Sequence, residues 1–172
     1  SAIVSNGEMI YGHDGFAGEV GHTIVEIDGR ECGCGRKGCL ETYSSATGIR
    51  RTALSLLKQE NSPSILREIE EKDINGYTIY EAARKNDALA LKCIDFTARM
   101  LAIGVANAVA VTSPKKIIFS GGLSKAGDLL LTPFKAYLEE NLYPVFRGKI
   151  EVELSALKEN NTAILGAAAL NH

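Results

Sequence analysis

The chain has 172 residues, 45% of them hydrophobic and 23% charged, with a formal net charge of −2. That length buries one substantial core, and the composition excludes a disordered, highly charged segment. Near-balanced charge, with no Lys/Arg cluster interleaved with aromatics, argues against nucleic-acid binding by this segment.

Ala2–Val4 and Met9–Tyr11 are short apolar runs joined through Ser5-Asn6-Gly7-Glu8, and Asn-Gly is a strong hairpin signal. A glycine-rich loop follows from His13 to Gly18. His22 to Ile27 alternates as a strand does, and Asp28-Gly29 turns the chain. A tight, glycine-rich run of cysteines comes next. Between Thr47 and Gln59, Ile49, Ala53, Leu56 and Leu57 recur at helical spacing, and Asn61-Ser62-Pro63 ends that helix. Ile65 to Glu71 is weakly helical. Thr78 with Glu81 matches a capping box and predicts a short helix to Arg84. Asp87 can cap a long helix reaching about Val111, whose small residues Ala102, Gly104, Ala106 and Ala108 allow another element to approach closely.

Lys116–Ser120 reads as a strand running into Gly121-Gly122, Leu129–Asn141 as a helix, Ile150–Ser155 as a strand and Thr162–Leu170 as a small-residue helix. This alternation predicts an α/β layer, and the whole chain, 1–172, is taken as one domain. The most apolar stretch, Met100 to Thr112, is too short to span a bilayer and reads as a buried helix. There is no signal-peptide pattern, so the expected location is cytoplasmic and no membrane partner is expected. The abrupt start at Ser1, directly before a strand, leads to the expectation of a longer parent protein.

Chemistry concentrates in Cys32-Gly33-Cys34-Gly35-Arg36-Lys37-Gly38-Cys39, with His22 a strand's length upstream. Zinc takes four thiolate or imidazole ligands in a tetrahedron. Three cysteines this close cannot reach one ion from a regular helix or strand, so the backbone must fold back, and Gly33, Gly35 and Gly38 give it that freedom. Reduced, unligated thiols are the alternative. No Cys-x-x-Cys pair supports a redox role. Three Cys and one His fill every position, so the expected site is structural, with no place for an activated water. Cys93, within the long helix, reads as a small core residue.

Glu19 lies three residues before His22, and Glu41 two after Cys39. A metal that folds this loop brings both acids to one place, where they can accept hydroxyl hydrogen bonds, and His22 can donate from its second ring nitrogen. Solvated acids on a loop, or an acid/base pair for glycoside hydrolysis, are the other readings of this spacing.

Gly18-Glu19-Val20-Gly21-His22 followed by Cys32-Gly33-Cys34-Gly35-Arg36-Lys37-Gly38-Cys39-Leu40-Glu41 resembles the signature of the ROK family of repressors and sugar kinases, which includes bacterial glucokinases. Ile117-Ile118-Phe119-Ser120-Gly121-Gly122 and the closing Leu165-Gly166-Ala167-Ala168-Ala169 extend the likeness more loosely. The resemblance implies an actin-like, hexokinase-like (ribonuclease H-like) fold, of which this chain is the large C-terminal lobe. It implies structural Zn2+ on His22, Cys32, Cys34 and Cys39, and hexose contacts from Glu19, His22 and Glu41. It also implies ATP with Mg2+ in the full-length protein, with Gly121 and Gly122 passing close to the nucleotide; an ordinary strand-to-helix turn is the plainer reading of that pair. Family kinases open with a glycine-rich, aspartate-containing phosphate loop and carry an Asn-Asp pair whose Asp is the general base. This chain has neither, so no catalytic residue is expected in it, and alone it should not turn over sugar. The implied activity of the parent is ATP-dependent phosphorylation of a glucose-type hexose, with a sugar-responsive repressor as the alternative; a homodimer is implied in either case.

Overall fold

A computed structural model describes residues 1–156 of the chain. The predicted helix at 162–170 and the closing Leu165–Ala169 motif lie outside the described residues.

The chain opens with a hairpin of β1 (Val4–Ser5) and β2 (Glu8–Met9), in which Val4 pairs with Met9 and Ser5 with Glu8. Asn6 and Gly7 both take positive φ, 55° and 83°, which is what a tight two-residue hairpin turn demands. The predicted strand at 22–27 does not form. Val20–His22 is instead a 3-10 turn, and Ile24 makes one isolated bridge to Cys39. The alternation there reflected no buried sheet face, since Ile24 and Ile27 are 49% and 85% exposed. The backbone N–H groups of Val25 and Glu26 bond to the Gly38 carbonyl, so this stretch lines the cysteine loop rather than a sheet.

Helix α1 (Glu41–Ser44) emerges straight from the cysteine loop, and Ser45 breaks it from α2 (Ala46–Gln59). Ser45 leaves the helical region and its hydroxyl accepts from the Gly48 N–H at 3.0 Å, a standard helix N-cap. Helix α3 (Gly76–Arg84) starts earlier than predicted. Its cap is Asn75, whose side chain accepts from the Tyr77 and Thr78 N–H groups while the Thr78 hydroxyl accepts from Asn75 N–H. Thr78 is therefore the far half of the capping box and not its start, and Glu81 has no part in it.

Helix α4 (Ala88–Thr112) is capped as expected by Asp87, whose carboxylate accepts from Ala90 N–H at 2.9 Å. The same buried carboxylate also takes Ser64 Oγ at 3.1 Å and Ile65 N–H at 2.6 Å, tying the start of α4 to the loop after α2. At 25 residues, α4 is long and apolar enough to cross a bilayer by length and composition, contrary to the shorter stretch read from sequence. It is nonetheless the central helix of the core. Leu89, Cys93, Ile94, Ala98, Ala102 and Val109 are buried, and α1, α2, α3 and the later helix Asp128–Asn141 pack around it. Gly104 permits the closest approach: a Cβ there would stand 2.5 Å from Leu40 Cδ2.

Strand β3 (Lys116–Phe119), helix α5 (Asp128–Asn141) and strand β4 (Glu151–Leu154) complete the described chain. The strands are parallel, Lys116 opposite Glu151 through Phe119 opposite Leu154, with α5 as the crossover. Phe119 meets Phe134 of α5 edge to face at 4.9 Å, seating the sheet on the helical core.

Candidate metal centre

Between Gly18 and Leu40 regular structure is scarce, so turns, glycines and arginines shape the chain. Cys32 N–H bonds to the Arg36 carbonyl and Gly35 N–H to the Cys32 carbonyl, closing a tight loop in which Gly35 sits at φ 86°. Gly38, at φ 76°, is fixed at three points: it donates to the Arg30 carbonyl, and its own carbonyl accepts from Val25 and Glu26. A Cβ at Gly38 would run into the Glu26 carbonyl oxygen, so only glycine fits. Gly33 does not use the left-handed region.

Three arginines brace this loop. Arg30 lays its guanidinium 4.6 Å from the Tyr43 ring centre and donates to the carbonyls of Thr42 at 2.9 Å and Gly48 at 3.2 Å. Partial burial pulls its pKa below the usual arginine value. Arg36 donates to the His22 carbonyl at 2.7 Å, and Arg51 to the Glu31 carbonyl at 2.9 Å. Sequence reasoning missed all three. The available signal covered only two of them, Arg30 and Arg36 recurring in the loop, since Arg51 lies within α2.

The result is a convergence of His22, Cys32, Cys34 and Cys39, whose ligand atoms all lie within 4.8 Å of one another. Cys34 Sγ to Cys39 Sγ is 3.7 Å, and Cys32 Sγ to His22 Nδ1 is 3.7 Å. Ligands about 2.3 Å from one tetrahedral ion stand about 3.8 Å apart for sulfur pairs and slightly less for sulfur and nitrogen. The four side chains can therefore hold a metal ion with little rearrangement.

Two of the thiols differ sharply. The backbone N–H and side chain of Arg36, then Cys32, favour the Cys34 thiolate and bring its pKa down to about 6. At Cys32 the Cys34 backbone N–H favours the thiolate, but the Glu41 carboxylate accepting its hydrogen, with desolvation and the neighbouring sulfurs, outweighs it and pushes the thiol up to about 12. A bound cation reverses that logic, since a coordinating thiol loses its proton outright. Cys93 behaves as expected of a core residue: it is fully buried, donates to the Ile49 carbonyl, and burial raises its thiol to about 12.

The two carboxylates flank the histidine on opposite ring nitrogens. Glu41 Oε1 is 3.7 Å from His22 Nδ1 and 2.9 Å from Cys32 Sγ; Glu19 Oε2 is 3.8 Å from His22 Nε2. Their side chains are 57% (Glu19) and 42% (Glu41) exposed, so both can meet a ligand from solvent. A cavity of about 270 Å³ opens beside Glu41, walled by Glu31, Gly33, Thr42, Thr47 and Arg51, but Glu19 and His22 do not line it. Gly121 and Gly122 stand elsewhere, at the end of β3. Gly121 takes φ 92°, ψ −174°, a conformation almost confined to glycine, and no atom of the described residues lies within 4 Å of a Cβ at either position.

A ROK family sequence profile matches residues 1–172. The glucokinase of Halalkalibacterium halodurans is 35% identical over 170 residues, covering 98% of this chain and 51% of that protein. NagC, a DNA-binding transcriptional dual regulator of Escherichia coli K12, is 34% identical over 170 residues, covering 99% of this chain and 40% of the regulator. Among solved structures, a ROK family glucokinase from Streptomyces griseus in complex with glucose and AMPPNP superposes with a TM-score of 0.87 at 31% identity, over 98% of this chain and 55% of that one. The chain thus spans about half the length of its relatives or less, and its α/β fold is that of the actin-like, hexokinase-like ROK glucokinases.

Proposed function

The chain belongs to the ROK family, and from that premise we propose that it is the C-terminal, sugar-reading lobe of an ATP-dependent hexose kinase built around a structural zinc ion. His22, Cys32, Cys34 and Cys39 would hold the zinc, and Glu19, His22 and Glu41 would read hydroxyls of a glucose-type sugar. With three thiolates and an imidazole, zinc has no open position, so its contribution is to fold the loop and not to activate water.

One observation carries the reading: the two ring nitrogens of His22 face different ways. Nδ1 points to the sulfur of Cys32, and Nε2 points to Glu19. A histidine held through Nδ1 presents its Nε2 hydrogen in a fixed direction. Glu19 supplies an anionic acceptor beside that donor and Glu41 a second one on the Nδ1 side of the ring, and acceptors of this kind form the stronger, charge-assisted bonds to hydroxyl groups. Positioning is the main catalytic contribution a phosphoryl-transfer enzyme asks of such residues. The bare backbone at Gly121-Gly122, with Gly121 at positive φ, supports a close approach to the nucleotide phosphates, because no side chain among the described residues stands in the way.

The second reading, a sugar-responsive repressor that keeps this site without the transfer chemistry, is supported by the 34% identity to NagC across almost the whole chain. Calorimetry on the intact parent protein tests the sugar site. Glu19→Gln and Glu41→Gln should each weaken hexose binding roughly 10- to 100-fold, the value of about one to two charge-assisted hydrogen bonds. Unchanged affinity with full zinc content refutes the sugar role. Turnover of ATP across a hexose panel separates kinase from repressor.

A further inference from the structure

We propose that Cys34 is an oxidation site, at which a hydroperoxide drives formation of a Cys34–Cys39 disulfide and so unloads the metal. The inference rests on the zinc reading above.

Three features of the cluster carry it. Accessibility selects Cys34, which is exposed, whereas Cys32 and Cys39 are only 8% and 0% exposed. Proximity selects its partner: Cys39 Sγ is 3.7 Å away, while Cys32 Sγ is engaged at 2.9 Å by Glu41. Cys93 lies in the core, donating to the Ile49 carbonyl, and has no route to the loop. Freedom to close the remaining gap is on the Cys34 side. Gly33 and Gly35, on either side of it, have no atom of the described residues within 4 Å of where a Cβ would stand. Cys39 is anchored by its bridge to Ile24 and by the adjacent Leu40 N–H bonding to the Thr23 carbonyl.

In the first step the Cys34 sulfur attacks the peroxide: an S–O bond forms, the O–O bond breaks, and the departing oxygen takes a proton and leaves as water or an alcohol. The Cys39 sulfur then attacks the sulfenic sulfur; the S–S bond forms, the S–O bond breaks, and the hydroxyl leaves as water after taking a second proton. Two electrons pass from the two sulfurs to the peroxide. A disulfide removes two of four ligands and leaves only His22 and Cys32, too few to hold a structural ion. His22 and Glu41 then lose their common frame, so oxidation would also weaken sugar recognition.

The test uses the purified, zinc-loaded protein, with metal content measured before hydrogen peroxide is added. A chromogenic chelator follows zinc release, and peptide mass spectrometry with thiol alkylation maps the cysteines. Arg36 and Lys37 lie between the pair, so trypsin leaves Cys34 and Cys39 on two peptides joined only by the new bond. The expected result is release of about one equivalent of zinc per chain in step with that cross-link, reversed by dithiothreitol and added zinc. Zinc retained under peroxide, release without the cross-link, or a cross-link through Cys32 instead would each overturn the proposal. Protein that never contained zinc would refute the metal reading itself, and peptide mapping would still decide the cysteine pairing.

Discussion

Gly38→Ala probes how far the metal loop depends on its backbone. Alanine at φ 76° costs about 1–2 kcal/mol against the left-handed region. The new Cβ also meets the Glu26 carbonyl oxygen, a backbone atom that cannot swing aside as a side chain can. Relief requires Gly38 or Glu26 to shift, which disrupts two of the three hydrogen bonds converging on Gly38, at about 1 kcal/mol each. The sum is roughly 3–4 kcal/mol, borne by the residue next to Cys39, and corresponds to a 100- to 1000-fold loss of zinc affinity. Competition against a chelator of known affinity measures it, with helical circular dichroism confirming that the core around α4 still folds. Gly35→Ala is the internal comparison: it has the same kind of φ, 86°, but an open surrounding, so it should cost only about tenfold. Wild-type affinity in Gly38→Ala, or equal losses in the two variants, would refute the reasoning.

Gly104→Ala sets helix propensity against packing. The substitution gains about 1 kcal/mol in the middle of α4 but presses on buried Leu40, an overpacking cost of about 1–3 kcal/mol, so thermal denaturation should show a net loss of about 1 kcal/mol. A raised Tm would mean that Leu40 retreats freely. Arg30→Lys loses the flat stack on Tyr43 and the shared bonds to Thr42 and Gly48 carbonyls; a Tm lower by roughly 5 °C is expected, and an unchanged Tm would deny the brace. In chelator-stripped protein, alkylation of Cys34 should rise with pH through about 6, because the thiolate is the nucleophile and is formed above the pKa. Cys93, pushed up to about 12 by burial, should stay unreactive until the chain is denatured, and a Cys34 midpoint near the ordinary cysteine value would show that the Arg36 contact is absent.

Helices α2, α4 and α5 and the strand–helix–strand order of β3, α5 and β4 were readable in the sequence because each carries a local signal, whereas α1, a single turn, carries none. Asp87 sits at the start of the apolar period of α4, β3 is a short run around Ile117, Ile118 and Phe119, and β4 alternates glutamate with Val152 and Leu154. The convergence of His22, Cys32, Cys34 and Cys39 was readable for a different reason: cysteine spacing and the upstream histidine stand out without reference to secondary structure. The stretch at 22–27 misled because alternation also arises in a chain segment whose hydrogen bonds go to a neighbouring loop, here to Gly38. The α3 start misled because Thr78 with Glu81 fits the Ser/Thr-x-x-Glu pattern, whereas the box that forms pairs Asn75 with a threonine at the third position. The arginine braces were invisible because a guanidinium reaching a carbonyl far along the chain leaves no periodic trace.

The ligand cluster is contiguous in the chain, from His22 to Cys39, whereas β3 and β4 must wait for the whole of α5 before they can pair. Short closures cost less entropy than long ones, and parallel pairing across a helical crossover is intrinsically slow. During synthesis the loop carrying His22, Cys32, Cys34 and Cys39 leaves the ribosome before α4, β3 and β4. Were this cluster to take up a metal ion, capture could precede consolidation of the core, and the availability of that ion in the nascent chain's surroundings would become a control on how much of the protein matures.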